Sequence, residues 1–122
     1  MRPPRRSTAR AGETLAALWL RLKGYRILSR NWRCAAGELD LVCARGGTLV
    51  FVEVKTRLDA SAGIPEAAVD RRKQERLVLL ARAYLAARRI DGAPCRFDVV
   101  AVGNRWPPLR HLKGAFVAAP AV

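Results

Sequence analysis

Gly37-Glu38-Leu39-Asp40-Leu41-Val42-Cys43-Ala44-Arg45, Gly46-Gly47, Thr48-Leu49-Val50-Phe51-Val52-Glu53-Val54-Lys55-Thr56-Arg57: two apolar runs around paired glycines give the pattern of a strand, a tight turn and a second strand. With Gly46 and Gly47 central in the turn, Arg45 faces Thr48, Asp40 comes opposite Glu53 and Glu38 opposite Lys55, so that four charged side chains share one face. Facing Cβ atoms on adjacent strands lie about 5 Å apart, and like charges placed there are destabilising. A bound cation would reverse that sign. On a solvated face a Glu38/Lys55 pair would be worth well under ~1 kcal/mol. Here Glu53 and Lys55 share their face with Leu49 and Phe51, while Val50, Val52 and Val54 fill the other. A strand apolar on both sides belongs in a covered sheet, and charges placed there point to a metal or catalytic site.

The chain has 122 residues, enough for one domain with a real core. Its 23 Lys+Arg against 10 Asp+Glu leave a net charge of +13, which points to a polyanion, nucleic acid ahead of anionic membrane. Most of the bases are Arg in an Ala-rich chain, a combination that GC-rich coding also produces. Cys34, Cys43 and Cys95 are odd in number and form no C-x-x-C pair, which disfavours a disulfide framework and a zinc site and fits a reducing cytoplasm. The longest apolar run near the start, Leu15 to Leu20, is too short for a signal core or a membrane span. The expectation is a soluble cytoplasmic protein.

Residues 1–10 read as a flexible basic arm and 11–122 as a single domain. From Ala11 to Lys23, Leu15, Leu18, Trp19 and Leu22 recur at helical spacing, and Gly24 ends the helix. Glu13 near its start suits either the helix dipole or catalysis. Tyr25 to Trp32 reads as an edge strand and Leu58 to Ile64 as a loop close to Lys55. Pro65 to Arg89 has the composition of a long helix, with Leu77, Leu80, Ala81, Tyr84 and Leu85 inward and Arg71, Arg72, Lys73, Arg76, Arg82, Arg88 and Arg89 outward. Asp91-Gly92-Ala93-Pro94 breaks it. Cys95 to Val102 is then a central strand, with Asp98 expected to pair with an Arg, and Leu109 to Leu112 is a short last strand on which His111 stands alone. The order α-β-β-β-α-β, with that short last strand, describes an α/β fold, a mixed β-sheet flanked by helices.

Two facing carboxylates and a Lys on the same face suit metal-assisted phosphodiester hydrolysis. Hard Mg²⁺ takes oxygen ligands; Asp40 and Glu53 would hold it with the Val54 carbonyl in reach, and Lys55 would orient water or offset phosphate charge. Asp40, Glu53-x-Lys55 and an earlier Glu-bearing helix resemble the PD-(D/E)XK nuclease pattern, which implies a restriction-endonuclease-like core. More closely, Gly37–Val42, Val50–Arg57, Ala68–Gln74 and Arg96–Val100 resemble the bacterial YraN family, over roughly Gly12 to Phe116. Its likeness to archaeal Holliday-junction resolvases implies motif positions at Glu13, Asp40, Glu53 and Lys55, with Leu39 where the motif's Pro would stand. The resemblance implies a DNA endonuclease using Mg²⁺ or Mn²⁺, with branched DNA as a candidate substrate; a nucleic-acid-binding protein that keeps the fold without cleaving is the alternative. Glu38 and Gln74 are candidate supporting residues, and Arg57, Arg71, Arg72, Lys73 and Arg76 candidate nucleic-acid contacts. The sequence leaves a homodimer open and expects no membrane partner.

Overall fold

The structure, a computed structural model, describes residues 5–57, 70–104 and 106–117. In chain order it comprises α1 (Arg5–Leu22), β1 (Arg26–Cys34), β2 (Gly37–Arg45), β3 (Thr48–Arg57), α2 (Arg71–Ala87), β4 (Cys95–Gly103) and β5 (Leu109–Phe116). The five strands form one sheet in the order β1-β2-β3-β4-β5. Only β3 and β4 run parallel, because α2 lies between them and carries the chain back over the sheet; the other neighbours are antiparallel. The sheet is therefore mixed, with β1 on an edge, as expected of the stretch from Tyr25 to Trp32. The expected loop Leu58 to Ile64 lies outside the described residues.

The hairpin has the register read from Gly46-Gly47: Arg45 pairs with Thr48 and Leu41 with Val52. Both glycines hold positive φ, as this turn requires. One core lies between the sheet and α2, around Leu39, Phe51, Leu77, Leu80, Tyr84 and Phe97; the other lies beneath α1, around Ala16, Leu20, Leu41, Val50, Val52 and Val100. Val50, Phe51 and Val52 are all buried, so β3 is covered on both faces.

Three boundaries and one helix face differ from the sequence reading. The first helix begins at Arg5, so Arg5–Arg10 are helical and Glu13 lies well inside α1, beyond the first turn where the dipole favours an acid. The second begins at Arg71, where Asp70 caps it by accepting the Lys73 backbone N–H at 2.9 Å. The last strand extends to Phe116, past a register shift opposite Asp98. Leu15, Leu18 and Leu22, expected inward, are 44%, 51% and 87% exposed, while Ala16, Ala17 and Leu20 are buried. Close approach decides this: a Cβ at Gly12 would collide with the Thr56 hydroxyl, so α1 turns its small residues to β3.

Candidate functional site

Beyond Leu41 and Val52 the β2–β3 ladder stops. The Val54 backbone N–H donates to Asp40 Oδ2 at 2.8 Å, so the side chain takes the place of a ladder carbonyl. The Asp40 carboxyl is pushed up to about 7, first by burial, then by the negative charge of Glu53, against the pull of the Val54 bond, with Glu13 and Glu38 adding to the rise. Glu53 Oε1 accepts from Lys73 Nζ at 2.7 Å and lies 3.5 Å from Lys55 Nζ. Burial and the neighbouring Lys73 hold Lys55 below the usual lysine range. Burial opposes the charge on Lys73, but its hydrogen bonds to Glu53 and Lys55 and the negative charges of Glu53 and Asp40 together outweigh it and raise the Lys73 pKa.

Glu13 enters from α1. It is buried, its Oε2 has no hydrogen-bond partner among the described residues, and burial with the charge of Glu38 raises its pKa against a hydrogen bond from Asn31. The structure thus gathers Asp40, Glu53 and Lys55, with Glu13 close enough to be felt by Asp40. It does not set Glu38 against Lys55. Glu38 pairs across β1–β2 with Arg33 at 3.2 Å, because the β2–β3 ladder that would have carried it to Lys55 ends at Leu41. Arg71, Arg72 and Arg76 are exposed on α2, Arg71 within 3.7 Å of Glu75. Gln74 follows Lys73, its backbone N–H bonded to the Asp70 carbonyl. The Arg57 side chain lies outside the described set. Lys73, read as a phosphate contact, has its ammonium on Glu53 Oε1 in this structure.

The chain matches the family described as "Uncharacterised protein family UPF0102" over residues 12–102. It belongs to that family. A UPF0102 protein of Moorella thermoacetica is 47% identical over 116 residues, covering 92% of this chain and 97% of the relative. One from Pseudomonas entomophila is 49% identical over 110 residues, covering 87% and 89%. One from Symbiobacterium thermophilum is 52% identical over 97 residues, covering 80% and 82%. UPF0102 is the family to which the YraN resemblance pointed, and the matched span contains Glu13, Asp40, Glu53, Lys55 and Lys73.

Two properties of this site suit a divalent cation: a half-buried, mutually repelling carboxylate pair and the orphaned Glu13 Oε2. Among the described residues no three His, Cys, Asp or Glu side chains are grouped closely enough to enclose an ion, so waters would complete the shell. Among the described residues no helix is long and apolar enough to cross a membrane.

The site predicts a pH signature. The Asp40 carboxyl titrates at its ordinary 3.8 when unfolded and at about 7 when folded. The folded state holds the extra proton between those values, so the stability from this group is full below the lower one and is lost as pH rises through the upper one. Without divalent ions, the melting temperature is expected to fall between about pH 5 and about pH 8, with Asp40→Asn removing much of the fall. Equal slopes for parent and variant in thermal melts would contradict the coupling.

Proposed function

We propose that this protein is a divalent-cation-dependent DNA endonuclease of the PD-(D/E)XK type, acting on branched DNA in the cytoplasm. The observation that carries this reading is the meeting of Asp40, Glu53 and Lys55 where β2 and β3 part, with Asp40 held near neutrality by burial and by Glu53. Asp40 and Glu53 would hold Mg²⁺ or Mn²⁺, with Glu13 alongside. Bound there, the ion would polarise a phosphoryl oxygen and lower the pKa of a water. Lys55 would set its ammonium against the charge that grows on the phosphate in the transition state. The Val54 bond fixes the Asp40 carboxylate, so this donor is aimed before any ligand arrives.

Arg71, Arg72 and Arg76 on α2, with Arg57 at the end of β3, are the proposed phosphate contacts. A chain of net charge +13 should engage several phosphates. DNA affinity is expected to fall by roughly a thousandfold between about 50 and about 200 mM salt, with slight sequence preference. Fluorescence anisotropy across that range checks it, and binding absent at the lowest salt would remove nucleic acid as the partner.

A second reading is a nucleic-acid-binding protein that keeps this fold without cleaving. It is favoured by the engagement of Glu53 with Lys73. Incubation of linear, flap and four-way DNA with Mg²⁺ or Mn²⁺ separates the two: metal-dependent cutting supports the nuclease, and binding without cutting of any form supports the alternative.

A further inference from the structure

Lys73 stands in the first turn of α2, where the helix dipole disfavours a cation. Its side chain is nevertheless only 23% exposed, and its ammonium sits 2.7 Å from Glu53 Oε1, the same oxygen that Lys55 approaches at 3.5 Å. Asp70 fixes the turn from which it reaches: the side chain accepts the Lys73 N–H at 2.9 Å and the carbonyl accepts the Gln74 N–H at 2.9 Å. A cation is thus positioned, against the local field, on a carboxylate that already has one lysine neighbour. Asp40, which repels Glu53, accepts the Val54 backbone N–H and no side-chain donor among the described residues.

We propose that Lys73 is a resident counter-ion of Glu53, which a divalent cation must displace, so that loading of the site and release of the Lys73 ammonium toward a phosphodiester are one event. The inference rests on the proposed cation site. In the unloaded chain Lys73 neutralises Glu53 and limits its repulsion of Asp40. On loading, the ion takes over that role, and an ammonium becomes available beside the place where the phosphate would lie. Lys73 is therefore a positioning residue for metal entry as well as a phosphate contact. The two lysines divide the work: Lys55 stays on the strand beside Glu53, while Lys73, on a separate element, can leave.

The test is titration of MnCl₂ alone into the full chain, without DNA, read by calorimetry and by the gain in melting temperature. Lys73→Met removes the charge and keeps the aliphatic reach; Lys73→Gln is a second charge-free variant in case the first is poorly folded. Both are expected to bind Mn²⁺ about threefold to fivefold more tightly than the parent, and Lys73→Arg within about twofold of it, because an ion pair of this exposure is worth up to about 1 kcal/mol. Both charge-free variants should also gain more in melting temperature from Mn²⁺, since they start without their counter-ion. Charge-free variants that bind as the parent does, or more weakly, overturn the inference; if that binding is still lost in Asp40→Asn, the cation site itself stands. Binding unaffected by Asp40→Asn, or absent from both the parent and the Lys73 variants, overturns the site and the inference together.

Discussion

Asp40→Ala and Glu53→Ala are each expected to abolish divalent-cation-dependent DNA cleavage, a loss of at least about 10³-fold, while salt-sensitive DNA binding persists, because the proposed phosphate contacts lie mostly with Arg on α2. The same variants should lose the rise in melting temperature that Mg²⁺ or Mn²⁺ gives the parent, since that rise is mass action on a site present only in the folded state. The two substitutions differ in the metal-free chain. Removing Asp40 leaves the Val54 N–H without its acceptor but ends the repulsion with Glu53. Removing Glu53 leaves Lys55 and Lys73 facing each other without the carboxylate both approach, so Glu53→Gln is the gentler comparison. Lys55→Ala should keep metal binding and lose the chemical step, because a protonated amine cannot ligate the ion but does stabilise charge on the phosphate. Cleavage by the Asp40 and Glu53 variants at the parental rate would sink the assignment of chemistry to this site.

The part of the fold that depends on local pattern was readable in the chain. Gly46-Gly47 fixes the turn, and the apolar runs on either side fix the register as far as Leu41 and Val52. The register fails one step later because a side chain, Asp40, takes the donor that the next ladder step would have used, and strand alternation does not reveal such a substitution. The α1 face departs from its periodicity for a similar reason. Periodicity ranks Leu15, Leu18 and Leu22 above Gly12, Ala16 and Ala17, yet a Cβ at Gly12 would meet the Thr56 hydroxyl, and the face of α1 that lies so close to β3 buries Ala16 and Ala17. Lys73 reads as one more base in Arg71-Arg72-Lys73 until the Asp70 cap and the β3–α2–β4 crossover set it over Glu53. The cap itself was present in the sequence as Asp followed three residues later by the residue whose N–H it accepts. His111 looked solitary because its partner lies on another strand: Asp98 is as expected paired with an Arg, Arg96, but it also receives the His111 ring.

Asp98→Ala is expected to lower stability by about 3–5 kcal/mol, a large share of what a domain of this size has. The Asp98 side chain is 0% exposed. Its Oδ1 accepts from Arg96 Nε at 2.8 Å and from the Gly114 N–H at 2.9 Å, and its Oδ2 accepts from Arg96 Nη2 at 2.8 Å and lies 2.7 Å from His111 Nε2. Gly114 belongs to the stretch where the β4–β5 register shifts, so the carboxylate takes up a donor that the irregular ladder leaves over. The network continues from Arg96 to the Tyr25 hydroxyl at 2.7 Å and from His111 Nδ1 to Lys23 Nζ at 2.6 Å, which ties β4 and β5 to the end of α1. Truncation would strand Arg96, His111 and a backbone N–H together. Burial works to raise the Asp98 pKa, but the bonds from His111, Arg96 and Gly114 outweigh it and hold the carboxyl at about 2, below its ordinary 3.8. A depressed carboxyl contributes stability that is complete above the unfolded value and is lost as pH falls through the folded one. Chemical denaturation between about pH 5 and about pH 2 should therefore show the parent losing stability more steeply than Asp98→Asn, which keeps the shape without the charge. A parent and variant with parallel acid profiles, or an Asp98→Ala chain as stable as the parent, would mean that the packing around β5 holds without this carboxylate.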